Sequence, residues 1–479
     1  MNNRLERVFD WIGPHGPIPN GLNYKYLDSY TKTDFTNQQE LFDDFIKKFD
    51  QVAVYDCHHN IDPSVFEDVH ISKFNNNKFS IYPITPYGSL MCCLGRDFGF
   101  HWDRPVFDFI SNKSKEVIKN QENVFILLDY SSEGDIREDV FQAIHIGLED
   151  NNIPANKLIF TCSALNTLDI YKSWLSKNNV KEKIKVATYP WAVMAKAKEL
   201  NDILTDNQFT FKGAKSTYEH TDRIDFVNPR KNKFLLLNRR LKPHRVILLS
   251  LLEHDGLLKD NLVSFDLDLL YCKEAGFEFE SALLHDRTHR DSPYESNRQN
   301  IHKILKGYKS LKKRKKQVVD KDDIDSVWGF GYENKEDYQN SYFSIVSETL
   351  FYETGTYLSE KIFKPIAHCH PFVLVSRPDS LEYLKKIGFK TFSDIWDESY
   401  DTISDDSERM NKIYTLVKQL SEKTDEEWIE LYKKIKPILI YNRNHLLKFQ
   451  KNQKQISEKW SSKLKKLAYE SIEENYSLL

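Results

Sequence analysis

The feature that most constrains the fold is a repeated unit: a short apolar run ending on a polar residue, then a stretch with helical spacing. Val52-Ala53-Val54-Tyr55-Asp56 has this form, and Val124-Phe125-Ile126-Leu127-Leu128-Asp129 repeats it. Lys157-Leu158-Ile159-Phe160-Thr161 and Ile184-Lys185-Val186-Ala187-Thr188 follow, each after an amphipathic segment. Strand, helix, strand at this spacing gives a parallel α/β sheet. Ligands of such sheets sit beyond the carboxyl ends of the strands, where Asp56, Asp129 and Thr161 fall. Gly and Pro number only 16 each in 479 residues, which argues against a turn-dense all-β fold and favours long helices between strands.

A chain of 479 residues exceeds one ordinary core. A polar stretch from about Asn207 to Asn232 reads as a linker, and a second α/β unit begins with the strand Lys233-Phe234-Leu235-Leu236-Leu237. Pro243 opens a helix that Gly256 suits as a stop. The sheet resumes at Phe343-Ser344-Ile345-Val346 and at Pro371-Phe372-Val373-Leu374-Val375, with Asp379 or Ser380 capping a helix that Gly388 ends. The expected domains are 1–230, 231–405 with an exposed basic insertion near 303–325, and a helical tail over 406–479.

Lys plus Arg (68) nearly balances Asp plus Glu (71), so no global charge drives the chain toward nucleic acid or anionic membrane. No apolar run approaches the ~20 residues that span a bilayer, and the start of the chain lacks a signal-peptide core. The six cysteines form no CxxC pair and no disulfide framework, which fits a cytoplasmic setting and no structural zinc.

Two constellations can carry chemistry. Ser347-Glu348-Thr349 precedes Tyr357-Leu358-Ser359-Glu360-Lys361-Ile362-Phe363-Lys364-Pro365. Ser359 suits the N-cap of a helix, and a helix start attracts phosphate. Lys361 and Lys364 lie one turn apart and add positive charge, while Glu360 can accept hydrogen bonds from a vicinal diol. A carboxylate beside a phosphate-binding cation suits a nucleotide, which carries a diol next to a diphosphate. The same residues also suit an ordinary capped helix with a surface Glu-Lys pair. Asn238-Arg239-Arg240 with His244-Arg245 form the second group, at a strand-to-helix turn where cations can hold a diphosphate and steady a leaving group, or can simply be solvated.

Residues 343–349, 359–366 and 370–374 together resemble the C-terminal donor-site signature of GT-B glycosyltransferases. They are similar to the exostosin-like and α-1,3-fucosyltransferase-like groups, which include enzymes of large DNA viruses and phages. Leu237-Asn238-Arg239, the His244-Arg245 pair, and the runs 388–392 and 397–401 share the likeness, which spans about residues 233 to 401 and is faint before them. Ser359 stands where the family usually has Thr and keeps the hydroxyl. The resemblance implies two Rossmann-like domains facing a cleft and a C-terminal helical tail. It also implies a nucleotide-sugar donor, with Glu360 on its ribose and Lys361, Arg239 and Arg245 on its diphosphate. The acceptor is then a hydroxyl on a glycan or another molecule, and no metal or other cofactor is needed.

The resemblance also puts the general base, which a sugar hydroxyl needs at neutral pH, in the N-terminal half. Glu133 in Leu128-Asp129-Tyr130-Ser131-Ser132-Glu133-Gly134-Asp135 is the first candidate and Asp129 the second, with Asp56, His58 and His59 as the rival loop. The Trp11-to-Pro17 turn borders this edge without an assigned role. Asp266-Leu267-Asp268 matches a metal-binding Asp-x-Asp, a pattern too short to outweigh chance. Residues 303 to 316 hold eight Lys or Arg, a solvated helix face or a grip on an anionic acceptor such as DNA through Lys312 to Lys316. A DNA-base glycosyltransferase acting on hydroxylated bases and a non-catalytic nucleotide-sugar-binding protein are therefore the alternatives.

Overall fold

The computed structural model describes residues 4–13, 16–18, 62–85, 94, 106–131, 133–204, 210–211, 214–215, 226–238, 241–269, 300–319, 334–352 and 354–470. The chain divides into two compact units, Met1–Ala195 with Lys451–Leu479, and Lys196–Gln450.

The first unit is built on a six-stranded sheet. Its strands are β1 (Leu5–Phe9), β4 (Phe66–His70), β5 (Ser80–Ile84), β6 (Val124–Tyr130), β7 (Leu158–Cys162) and β8 (Lys185–Thr188), in the order β4-β1-β5-β6-β7-β8. Every pairing is parallel. A short hairpin of β2 (Trp11–Gly13) and β3 (Gly16–Ile18) follows β1. The expected strands at 124, 157 and 184 are all present, and β6 is buried along its whole length. Val52 to Asp56, His58 and His59 lie outside the described residues.

Strand β1 escaped the sequence reading because Glu6 and Arg7 interrupt its apolar pattern. Both are buried and both are paired. Glu6 accepts hydrogen bonds from Asn75 N at 2.9 Å and Ser80 Oγ at 2.8 Å. Arg7 makes a two-pronged bond to Asp68 at 2.6 and 2.9 Å, and its guanidinium lies 4.3 Å over the Phe66 ring. A buried charge survives in a central strand when neighbouring strands supply its counter-charge and donors.

Helices α1 (Asn112–Asn120), α2 (Glu138–Asp150), α3 (Thr167–Asn178) and α4 (Trp191–Leu204) alternate with the strands, and α4 carries the chain across the unit boundary. The boundary thus falls inside a helix, upstream of the expected 230.

The second unit has a five-stranded sheet in the order β13-β12-β11-β14-β15. Its strands are β11 (Asn232–Asn238), β12 (Leu262–Asp266), β13 (Lys316–Gln317), β14 (Ser341–Ser347) and β15 (Phe372–Val375). All pairs are parallel except the edge strand β13. Another small hairpin, β9 (Thr210–Phe211) with β10 (Ala214–Lys215), precedes the sheet.

Helix α5 (Pro243–His254) follows β11, and α6 (Ile301–Arg314) packs along it. Over residues 301–314 the basic segment is therefore a helix with one face buried rather than an exposed insertion, and 320–325 lie outside the described residues. Ile304, Gly307, Tyr308 and Leu311 recur at helical spacing and are buried. Gly307 passes so close to α5 that a Cβ there would stand 1.8 Å from the Ser250 carbonyl oxygen.

Helices α7 (Lys335–Gln339), α8 (Glu360–Ala367) and α9 (Ser380–Lys386) flank the last strands. The cap of α9 differs from expectation. Asp379 sits in the left-handed region and gives no capping bond, and Asp401 accepts from Leu381 N at 2.9 Å and Glu382 N at 3.1 Å instead. Gly388, at φ 93°, follows the helix as expected.

The C-terminal helices are α10 (Asp406–Ser421), α11 (Asp425–Lys451) and α12 (Gln453–Tyr469). They do not form one tail. The last, α12, belongs to the first unit: Trp460 is buried against Phe66 and Tyr189, and Tyr469 packs edge-on to Phe125 at 5.5 Å. Its apolar positions recur on one face, and that face needs a sheet to cover it.

Candidate functional site

In an open parallel sheet the ligand crevice forms where the strand order reverses. In the second unit the chain leaves β11 for β12 on one side and later returns to β14 on the other, so the reversal lies between β11 and β14. Asn238 and Ser347 end those two strands, and the Asn238 amide donates to Ser347 Oγ at 3.5 Å. The sequence candidates thus converge on the switch point although they lie more than a hundred positions apart.

Helix α5 supplies the floor. Arg245 is buried and its Nη2 donates to the carbonyls of Ser347 at 3.0 Å and Glu348 at 3.1 Å. His244 places Nε2 3.0 Å from the Glu348 carbonyl, so that nitrogen carries the proton. Its ring stacks on Phe351 at 5.3 Å and 10°. Burial, with Arg245 and Lys242 nearby, pushes the imidazole well below its ordinary range, so His244 is neutral and adds no charge. Both residues fix the end of β14. Arg239 and Arg240 lie outside the described residues.

The start of α8 is built as expected but is not open as expected. Ser359 is the N-cap and its Oγ accepts from Lys361 N at 3.3 Å. The same hydroxyl donates to Glu348 Oε2, and Ser359 N donates to Glu348 Oε1 at 3.2 Å. Thr349 N adds a third bond to that carboxylate at 3.2 Å. Glu348 is fully buried. Burial pushes its carboxyl up, against the pull of Lys361 and Ser359. A carboxyl of the protein thus holds the cap amide and hydroxyl at the helix end where a phosphate was expected. Tyr357, just before the cap, is buried.

Glu360 and Lys361 remain at the surface of this edge, 18% and 30% exposed, with Lys361 Nζ 2.8 Å from Glu360 Oε1. Lys361 Nζ also lies 3.3 Å from Thr349 Oγ1 and from Ser359 Oγ. Burial raises the Glu360 carboxyl, but Lys361 and Lys364 outweigh it and hold the group down at about 2. Lys364 is half-buried on the next turn. Chemically this is a permanently ionised acceptor beside a fixed ammonium, a pairing suited to a diol next to an anion.

In the first unit, Asp129 is the next-to-last residue of β6 and is buried. Its Oδ1 accepts from Ser131 N at 3.0 Å and from Thr161 Oγ1 at 2.8 Å, tying β6 to β7. Glu133 is half-buried. Its N–H donates to the Tyr130 carbonyl and its own carbonyl accepts from Ser163 N, both at 3.2 Å.

The switch point of this sheet is between β1 and β5, where Asp10 follows β1 directly. Asp10 accepts from Tyr82 OH, Ser111 N at 3.2 Å, Ser111 Oγ at 2.7 Å and Ser114 Oγ. The sequence reading missed Asp10 because it missed β1. The signal was present, since Val8-Phe9-Asp10 ends on a carboxylate just as Asp56 and Asp129 do.

The Asp-x-Asp pair has local partners. Asp266 accepts from Asp268 N at 2.9 Å and lies 3.7 Å from Lys316 Nζ. Among the described residues no group of three or more His, Cys, Asp or Glu side chains could hold a metal ion. No helix among them is long and apolar enough to cross a membrane. Cys162 and Cys369 are free thiols, both buried.

No family model matches the sequence. No curated protein matches it. Among solved structures, a trehalose-6-phosphate synthase is similar over 80% of this chain and 73% of that chain, at 9% identity and a TM-score of 0.34.

Proposed function

We propose that the chain is a metal-independent glycosyltransferase of the GT-B type, taking a sugar from a nucleotide-sugar donor at the carboxyl edge of the second sheet. The observation that carries the reading is the Glu360–Lys361 pair at the start of α8, after the switch-point strand β14. Glu360 would accept from the ribose hydroxyls, and Lys361 with Lys364 would face the diphosphate. Because Glu348 holds the amide and hydroxyl of the Ser359 cap, side-chain cations would supply most of the charge that meets the phosphates. Arg239 and Arg240 follow β11 in sequence and would add to that charge.

In the reaction, the acceptor oxygen forms a bond to the anomeric carbon as the bond to the diphosphate oxygen breaks. The electron pair leaves with the nucleoside diphosphate, and the acceptor proton passes to a base. Glu133 is the base this reading favours. Asp129 is the weaker choice, since Ser131 and Thr161 already occupy its carboxylate. The acceptor is a hydroxyl on a glycan or another molecule.

The test is a thermal-shift screen of the whole protein against nucleoside diphosphates and their sugars, with Glu360→Ala beside the native chain. The native protein is expected to gain stability with one base class, because a ligand of the folded state raises its melting temperature. The variant should lose that gain and keep its unliganded melting point. Equal shifts in both proteins would remove Glu360 from the donor site.

A further inference from the structure

The outer face of α6 is a row of lysines that the sugar-transfer reading does not use. With Ile304, Gly307, Tyr308 and Leu311 turned inward, helical spacing puts Lys306, Lys309 and Lys313 on the opposite face. All three are exposed. None has an ion pair or hydrogen bond among the described residues, whereas Arg314 reaches Glu253 at 3.4 Å and Lys316 reaches Asp266 at 3.7 Å. Among the described residues, the acids beside this helix are engaged elsewhere: Asp255 is held by Lys418 at 3.0 Å. From 303 to 316 the sequence has no acid at all, in a chain whose net charge is -3.

We propose that this face binds the sugar-phosphate backbone of a nucleic acid. Like charges held in line on a rigid helix, without an ion pair among the described residues, fit a polymer with a regular anionic repeat. They are lysines rather than arginines, point charges suited to phosphate contact without base reading. An anionic membrane fits less well. A membrane-surface helix buries an apolar face in the headgroup boundary, and the apolar face of α6 is already spent on α5. Among the described residues the exposed large hydrophobics are Val227, Ile440, Tyr441 and Tyr469, none of them on α6. The proposal stands whether or not the second unit transfers sugar.

The experiment is fluorescence anisotropy of a short, labelled, mixed-sequence DNA strand titrated with the full chain over a series of salt concentrations. Comparison proteins are the triple variant Lys306→Gln, Lys309→Gln, Lys313→Gln and a control with Lys433→Gln and Lys434→Gln on α11. Binding is expected at low salt, and log affinity should fall linearly with log salt. The triple variant should bind at least about 10-fold more weakly, with a salt slope shallower by about 2 for three lost phosphate contacts. The control should match the native chain. Three results would overturn the proposal: no binding at low salt, equal losses in the triple variant and the control, or capture on phosphatidylserine vesicles without affinity for the strand. Circular dichroism of the triple variant verifies that α6 is still folded, as replacing exposed side chains predicts.

Discussion

At the carboxyl edge of the first sheet, Asp10 and Asp129 accept hydrogen bonds from Tyr82, Ser111, Ser114, Ser131 and Thr161 of the same unit. At the edge of the second sheet the division of labour differs. Glu348 is the buried carboxylate and plays the part that Asp10 plays in the first unit, joining a strand end to the next helix. Glu360, one residue past the cap, is left at the surface beside Lys361. Carboxylates of similar position along the chain are thus internal ties in one sheet, while in the other one tie supports a second, accessible charge. Position at a strand end does not separate the two roles; the donors that reach each oxygen do.

The largest expected effect distinguishes the two edges by activity. Under the sugar-transfer reading, Glu360→Ala should lower turnover of the donor by about 100-fold or more while leaving the urea midpoint in place. Nucleotide release from candidate sugars measures the first, and a fall in midpoint matching the fall in rate would make Glu360 another tie.

Asp10→Ala should show the reverse pattern. Removing it takes an acceptor from the buried hydroxyls of Tyr82 and Ser114 and from the half-buried Ser111, and should cost about 2–3 kcal/mol in a denaturant titration. An unchanged midpoint would mean that this edge is as open as the other.

Glu348 offers a pH test. Its folded-state carboxyl titrates above the ordinary 4.5, so the native state holds the proton more tightly than the unfolded chain. Ionising it therefore costs stability, and that cost grows as pH rises from about the unfolded value through the folded one. Glu348→Gln cannot ionise, so its stability relative to the native protein should improve as pH is raised across that window. Parallel denaturation curves of the two proteins with pH would show that Glu348 carries no such linkage.

The smallest effects compare two threonines. Thr161→Val removes a buried hydroxyl from Asp129 and should cost about 1 kcal/mol, whereas Thr349→Val loosens only the half-exposed Lys361 and should stay within about 0.5 kcal/mol. Equal costs in thermal melts would erase the contrast between a closed edge and an open one.

Much of this was legible in the residues alone. Short apolar runs such as Val124 to Leu128, or Phe343 to Val346 with only Ser344 between, bounded by polar residues, fit strands buried on both faces of a covered parallel sheet. The Ser359 cap was legible too, since capping is a matter of a few adjacent atoms. Strand β1 was not, because Glu6 and Arg7 are tolerable only with Ser80 and Asp68 beside them, and those partners come from strands far along the chain. The packing of residues 303–314 was hidden for a related reason. Their charge was visible, but the closeness of Gly307 to Ser250 depends on which helix lies alongside.

Local chemistry, then, determined the alternation of strands and helices, the cap of α8 and the charge on α6, because each depends on neighbours within a turn or a strand. Tertiary structure decided that Glu348 holds the Ser359 cap, that Arg245 and His244 serve the backbone of β14, and that α12 returns to the first sheet. Those outcomes depend on which donors, carbonyls and apolar faces meet across distant parts of the chain, and that is information no single stretch of sequence contains.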